Sequence, residues 1–288
     1  MELKHIATRE GRLSSFLREE MKMSAGLMNR LKWQQQLFVN GQTVHTDYPV
    51  KTGDVIIVPL DEPEPDYPAE SGELTILYED EHILAVDKPT GMLIHPSRAR
   101  LTGTLANLVL GYYEKTGQKS AFHPLTRLDR DTFGVVLLAK NAHIHSLLND
   151  LHLQGGFEKL YEALVYGGPE EESGVIDAPI ARLPLPSLLR EVSPEGKPSV
   201  TEFKVLERKD GFAKLALRPV TGRTHQLRVH CAYMGWPILG DPQYGSPQSQ
   251  ALSKEMGLQS QRLCARQLTF AHPITGEKIT VTSRFTAD

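Results

Sequence analysis

The chain has 288 residues, 40% apolar and 23% charged, with two cysteines and a formal net charge of −3. That composition is ordinary for a soluble globular protein and excludes disordered, fibrous and membrane classes, because no apolar run approaches the length that spans a bilayer. The charge is uneven: residues 61–73 (DEPEPDYPAESGE) hold six acids and no base, whereas residues 1–60 hold eight bases and six acids. A net acidic chain therefore still leaves basic faces available to a polyanion.

In chain order, RLSSFLREEM places Leu13, Phe16, Leu17 and Met21 on one face of a helix, and Leu27, Met28 and Leu31 mark a second helix capped by Ser24. LFVNGQTV centres a hairpin on Asn40-Gly41, and GDVIIV adds a strand. The prolines and repelling acids of 61–73 then read as an extended linker, dividing the chain into 1–60, 61–73 and 74–288. LTILYEDEHILAVDKP gives two strands about an acidic turn. LANLVLGYYEKTG gives a helix with Leu105, Leu108, Val109 and Tyr112 on one face. VVLLAK is a strand, and NAHIHSLLNDLHLQGG is a helix capped by Asn141 and stopped at Gly155-Gly156.

Further on, EKLYEALVYG alternates as a strand with Tyr161, Ala163 and Val165 on one face. TEFKVLERKDGFAKLALRPV is a hairpin turning at Asp210-Gly211, and THQLRVHCAYMG is a helix that Thr224 can cap and Gly235 ends. Strands and helices do not alternate strictly. The expected fold is α+β, with a mixed, largely antiparallel sheet flanked by helices and a small α+β module in front.

Three stretches hold candidate chemistry. In TRLDRDTFGVVLLAK, Asp129 stands between Arg127 and Arg130, and nearby positive charge keeps a carboxylate ionised. It is either a structural ion pair or a nucleophile; Asp131 reads as a turn residue. In TGRTHQLRVH, Arg223 near the helix start suits a phosphate together with free backbone N–H groups. His225 and His230 are five apart, which does not match a helical metal pair, and they read as a hydrogen-bonding and a packing residue. In EKLYEALV, Tyr161 is either core or a wall for a flat base. No phosphate-loop, dinucleotide or serine-hydrolase motif is present. Cys231 and Cys264 form no CxxC pair and read as reduced thiols of a cytoplasmic protein, and MELKHIATREG has no secretory character. No metal and no cofactor are expected.

Taken together, DKPTGMLIHP, RLDRDTFGVVLLAK, EKLYEALVYG, TGRTHQLRVH, ILGDPQYG and LCARQLTFAHPITGE resemble, in this order, the RluA-type pseudouridine synthases over residues 74–285. Residues 10–60 resemble the S4 RNA-binding domain that often precedes them. The resemblance implies isomerisation of specific uridines to pseudouridine in structured RNA, ribosomal RNA ahead of transfer RNA, by a monomer without cofactor. It implies Asp129 as the catalytic aspartate, Tyr161 stacking on the base and assisting proton transfer, and Arg228 pairing with the aspartate. Arg127 would fill the space left by a flipped base, and Leu227 would pack near it. Arg223 and Arg130 join these as substrate-binding residues, and Arg30 and Lys32 are the RNA contacts of the S4-like module. The sequence departs from the family at Thr126 (usually His), Phe133 (usually Ser) and Cys264 (usually His). Two rivals are an inactive RNA-binding paralogue and a carboxylate-nucleophile glycoside or nucleoside hydrolase. The first is opposed by the joint presence of Asp129, Tyr161 and Arg228; the second lacks a marked partner acid, Asp131 and Glu158 having no distinguishing context.

Overall fold

A computed structural model describes residues 2–60, 65–97 and 100–288. The first of these segments builds its own four-stranded sheet and its own apolar cluster, which includes Leu13, Phe16, Leu17, Leu31, Leu37, Ile56 and Val58. Ser24 caps helix Ala25–Trp33 by accepting from the Leu27 N–H at 3.2 Å. Asn40 and Gly41 both have positive φ, the geometry of a tight hairpin between Phe38–Val39 and Gln42–Thr43. Two features differ from the sequence reading. The first helix runs only from Leu13 to Ser15 before widening into a π-turn at Phe16–Glu20. Glu2–Ile6 is a strand antiparallel to Val55–Pro59; its residues alternate between exposed and half-buried, so no strong apolar pattern marks it.

Residues 61–64 of the acidic segment lie outside the described residues. From Tyr67 onward the segment is docked. Tyr67 and Ala69 pack on the cluster around helix Leu105–Lys115, the Glu70 N–H donates to the Asn107 carbonyl, and the Glu70 carboxylate accepts from the Gly103 N–H. Gly111 permits this approach, because a Cβ there would overlap the Glu70 backbone. The buried face of that helix is Leu105, Ala106, Val109, Leu110 and Tyr113. Leu108 and Tyr112, placed on the core face by spacing alone, are only partly covered, because the helix is rotated towards Leu84, Val86, Val136 and Leu138 of the sheet.

The remainder of the chain is organised on a ten-stranded sheet of described residues. Its path runs Ser173–Asp177, Val200–Lys209, Phe212–Pro219, Phe157–Tyr166, Leu263–Ala271, Phe133–Ala139, Ile83–Lys88, Ile76–Glu79. Neighbours on this path are antiparallel except Phe133–Ala139 against Leu263–Ala271, which touch in parallel through Phe133 with Cys264 and Gly134 with Ala265. Gly134, at φ 110°, makes that junction possible, since a Cβ would strike the Ala265 carbonyl. Helix Ala142–Leu153, capped by Asn141, packs Ile144 and Leu148 on Val135, Leu137 and Phe270 of the sheet, and helix Gln226–Tyr233 buries Leu227 and Cys231 against Ala163, Val165 and Leu215.

Phe133 belongs to this scaffold. Its ring meets Phe285 edge-on at 5.9 Å, Arg262 sits 5.5 Å over its face, and it shares a cluster with Leu239, Cys264 and Ala287. The bulky ring thus serves as a dock for Phe285 and Ala287.

Candidate active site

The loop carrying Asp129 is fixed along its length. Thr126 Oγ1 accepts from the Leu137 N–H at 3.0 Å, and Leu128 packs on the sheet cluster. The Arg130 carbonyl accepts from Lys88 Nζ at 2.9 Å, the Asp131 carbonyl accepts from Thr90 Oγ1 at 3.0 Å, and Thr132 Oγ1 accepts from Gln261 at 2.6 Å. Lys88 is buried and also donates to the carbonyls of Pro89 and Met92. Burial pulls its pKa down to about 8, with Asp131 and Asp129 opposing the shift. So secured, the loop leaves the Asp129 side chain pointing into a cavity of about 640 Å³.

Three residues separated in sequence converge there. Arg228, on helix Gln226–Tyr233, donates from one terminal nitrogen to Asp129 Oδ2 at 2.9 Å. Its side chain is only 5% exposed, against 30% for Asp129. Behind it, Asp241 takes Nε and the other terminal nitrogen at 2.7 and 2.8 Å, and Gln243 accepts at 2.7 Å. Burial works against the guanidinium charge, and Asp241, then Asp129, more than offset it, so the pKa of Arg228 rises. Tyr161 comes from the central strand Phe157–Tyr166, paired with Leu217 on one side and Ala265 on the other. It packs on the face shared with Ala163 and Val165. Burial, with Asp129 nearby, pushes its phenol up to about 12, so the hydroxyl keeps its proton at neutral pH. The rate is accordingly expected to show no alkaline limb from Tyr161 between pH 7 and 10, which a pH–rate profile of wild type against Tyr161→Phe checks.

The other expected residues divide. Arg127 and Arg223 are exposed on the cavity wall, Arg223 donating to the Pro198 carbonyl. Leu227 lines the cavity from its buried position beneath Tyr161. Arg130 also lines it, but its guanidinium is engaged by both oxygens of Asp131 at 2.9 and 2.8 Å. Arg30 and Lys32 lie on the exposed side of helix Ala25–Trp33, outside the cavity lining. Asp131 is thus an ion-pair partner, and Glu158 is exposed and absent from the lining.

Thr224 does not cap the helix after it. The cap position is His225, left-handed at φ 59°, ψ 15°, and the Gln226 side chain accepts instead from the Arg223 N–H and Thr221 Oγ1. His225 Nδ1 lies 2.8 Å from Tyr244 Oη, and its Nε2 lies 3.8 Å from Asp129 Oδ1. His230 is buried and hydrogen-bonded to Thr201 and the Ala178 carbonyl, so it is tied by polar contacts as well as packed. Sequence reasoning assigned no role to Asp241, Gln243 or Tyr244, although DPQYG carries a carboxylate in a turn. It also passed over Lys159, two residues before Tyr161 and therefore on the same strand face, where it too lines the cavity. Among the described residues no group of three His, Cys, Asp or Glu could hold a metal ion, and no helix is long and apolar enough to cross a membrane.

The sequence family described as RNA pseudouridylate synthase matches residues 82–233, which carry Asp129, Tyr161 and Arg228. The chain is 38% identical over 263 residues to an uncharacterized RNA pseudouridine synthase of Bacillus subtilis, covering 90% of each protein. It is 34% identical over 288 residues to ribosomal large subunit pseudouridine synthase C of Vibrio cholerae, covering 94% of this chain and 88% of that one. Among solved structures, human RNA pseudouridylate synthase domain containing 1 superposes with a TM-score of 0.62 at 27% identity, covering 76% of this chain and 86% of the other. The protein belongs to the RluA-type RNA pseudouridine synthases, isomerases that act on uridine in RNA.

Proposed function

We propose that the cavity converts uridine to pseudouridine in ribosomal RNA, acting on a nucleotide turned out of its stack, with Asp129 as the reacting group. The observation that carries this reading is the charge of the wall. Asp129 is the one carboxylate among the described lining residues, facing Arg127, Arg130, Lys159, Arg223 and Arg228. Such a wall suits a polyanion that brings one electrophilic carbon to one carboxylate. A glycoside hydrolase needs a second acid, and here Asp131 is held by Arg130 while Asp241 is sealed behind Arg228.

The reaction breaks the N1–C1′ bond, rotates the uracil and joins C5 to C1′, releasing the C5 proton to water. A base must leave its stack for this to happen. Attack on C1′, addition to C6 and removal of a ribose proton each require a carboxylate held within reach, and the Arg228 contact fixes its position. Tyr161 offers the base a flat wall and a protonated phenol for proton transfer, and Leu227 packs beneath it. Arg127 fills the gap left in the stack, and Arg130, Arg223 and Lys159 meet backbone phosphates.

Ribosomal RNA is preferred over transfer RNA because the Vibrio cholerae relative is named for the large ribosomal subunit. Unmodified ribosomal and transfer RNA transcripts incubated with the protein and mapped by carbodiimide labelling and primer extension test this. A new stop in large-subunit RNA is expected; stops confined to transfer RNA would reverse the choice.

The module 1–60 is read as an S4-like RNA-binding domain joined by segment 61–73 to the catalytic domain 74–288, in a monomer working in the cytoplasm. Beside Arg30 and Lys32, Trp33 is 84% exposed at the end of the same helix, an amphipathic ring open to solvent. Base stacking on such a ring contributes about 1–3 kcal/mol. Trp33→Ala is therefore expected to raise KM for RNA about tenfold, with a smaller change in kcat; an unchanged KM would remove Trp33 from the RNA interface.

A further inference from the structure

His225 occupies a costly position. Its left-handed backbone is one that glycine or asparagine adopts more readily, and it makes no capping bond there. Strain of this kind persists where surrounding contacts over-determine it, and these residues gather at functional sites. What the strain achieves is the placement of the imidazole. Its edge reaches Asp129 Oδ1 at 3.8 Å, the oxygen that Arg228 does not take, while Nδ1 meets Tyr244 Oη at 2.8 Å. The Tyr244 ring is held at the same time by the Arg228 guanidinium 4.9 Å over its face.

The Tyr244 hydroxyl selects the tautomer. It already accepts the Arg190 N–H at 2.9 Å, and its one proton is free to go to Nδ1 of His225. The ring proton then resides on Nε2 and faces the carboxylate. The opposite tautomer would set the Nε2 lone pair against an anion, so electrostatics favours the first. Burial, together with Arg228 and Arg190, lowers the His225 pKa against the opposing pull of Asp129 and Asp241, keeping the ring neutral at pH 7. A separation of 3.8 Å is longer than a hydrogen bond, and catalytic contacts of this kind shorten when substrate binds.

We infer that His225 is a positioning residue for Asp129: locked by Tyr244 with its proton on Nε2, it orients the carboxylate oxygen that Arg228 leaves free. Because the lock begins at the Arg190 N–H, the seating of hairpin Ile180–Arg182 and Arg190–Val192 is transmitted to Asp129. The inference rests on the synthase reading above.

A double-mutant cycle tests it. Single-turnover release of tritium from ribosomal RNA transcripts labelled at uridine C5 is measured for wild type, His225→Asn, Tyr244→Phe and the double variant. Asparagine tolerates the left-handed backbone, which keeps the fold intact. The expected result is a rate loss of about thirtyfold for His225→Asn and about fivefold for Tyr244→Phe, with KM changed less than threefold. The double variant should be no slower than His225→Asn alone, because both act through one ring. Losses that multiply, or a change in KM alone, would overturn the role. The tautomer is read independently of turnover from imidazole ¹⁵N shifts in histidine-labelled protein. An Nε2–H ring is expected; an Nδ1–H ring would overturn the mechanism even if the rates fell. If wild type itself releases no tritium, the synthase reading fails, and the ¹⁵N result still judges the Tyr244 lock.

Discussion

Asp129→Asn is expected to lower single-turnover pseudouridine formation by at least about 10⁴-fold, with RNA affinity within about threefold of wild type. The substitution keeps the shape and an oxygen that accepts from Arg228, and Asp241 and Gln243 continue to hold that guanidinium. Almost no packing is lost, because the Asp129 side chain is itself partly exposed in the cavity. What disappears is the negative charge, and with it the proposed reactivity, of the one carboxylate among the described residues that line the cavity. Rapid-quench assays at saturating RNA beside filter binding at equal ionic strength separate the two effects. A variant that binds normally and turns over within tenfold of wild type would remove Asp129 from the chemistry.

Asp241→Asn carries the second large expectation, on stability. The Asp241 side chain is 0% exposed and accepts from Arg228 Nε, Arg228 Nη2, and the backbone N–H groups of Gln243 and Tyr244. An amide of the same shape offers one accepting oxygen and turns N–H groups towards donors, leaving the buried Arg228 with only the partly exposed Asp129 as counter-charge. Breaking one side of a buried pair costs about 3–5 kcal/mol. In a chain of this size that is a fall in Tm on the order of 10 °C. Adding Arg228→Met should recover part of the loss, since it removes the buried guanidinium that Asp241 no longer neutralises. It should recover no activity. Calorimetry on the two variants checks the sign of both changes. A single variant as stable as wild type would mean that Arg228 is held by Asp129 and Gln243 alone.

Much of this was legible from local chemistry. Asn40-Gly41 and Asp210-Gly211 mark hairpins by the backbone they permit, and Ser24 and Asn141 cap helices as their positions require. The proposed site residues Asp129, Tyr161 and Arg228 are singled out by the order of six segments, and no single segment marks them. What was hidden depended on contacts distant in the chain. Phe133 gains its meaning from Phe285 and Ala287, about 150 residues later in sequence. The parallel junction at Gly134 depends on the Ala265 backbone, which no periodicity announces. His225 defeats a capping rule that favours Thr224: the Gln226 N–H donates to the Arg223 carbonyl, and the Gln226 side chain ties down the approach to the helix by accepting from the Arg223 N–H and Thr221 Oγ1. Asp241 stands 13 residues after Arg228, beyond the helix that carries it, so the buried pair follows no local spacing.

The most direct measurement is a single-turnover reaction of wild type and Asp129→Asn with large-subunit ribosomal RNA labelled with tritium at uridine C5, analysed for released tritium, pseudouridine and free uracil. The expected result is one tritium lost per pseudouridine formed by wild type, no free uracil, and neither product from Asp129→Asn. Free uracil in place of pseudouridine, or pseudouridine formed at equal rates by both proteins, would contradict an isomerisation centred on Asp129.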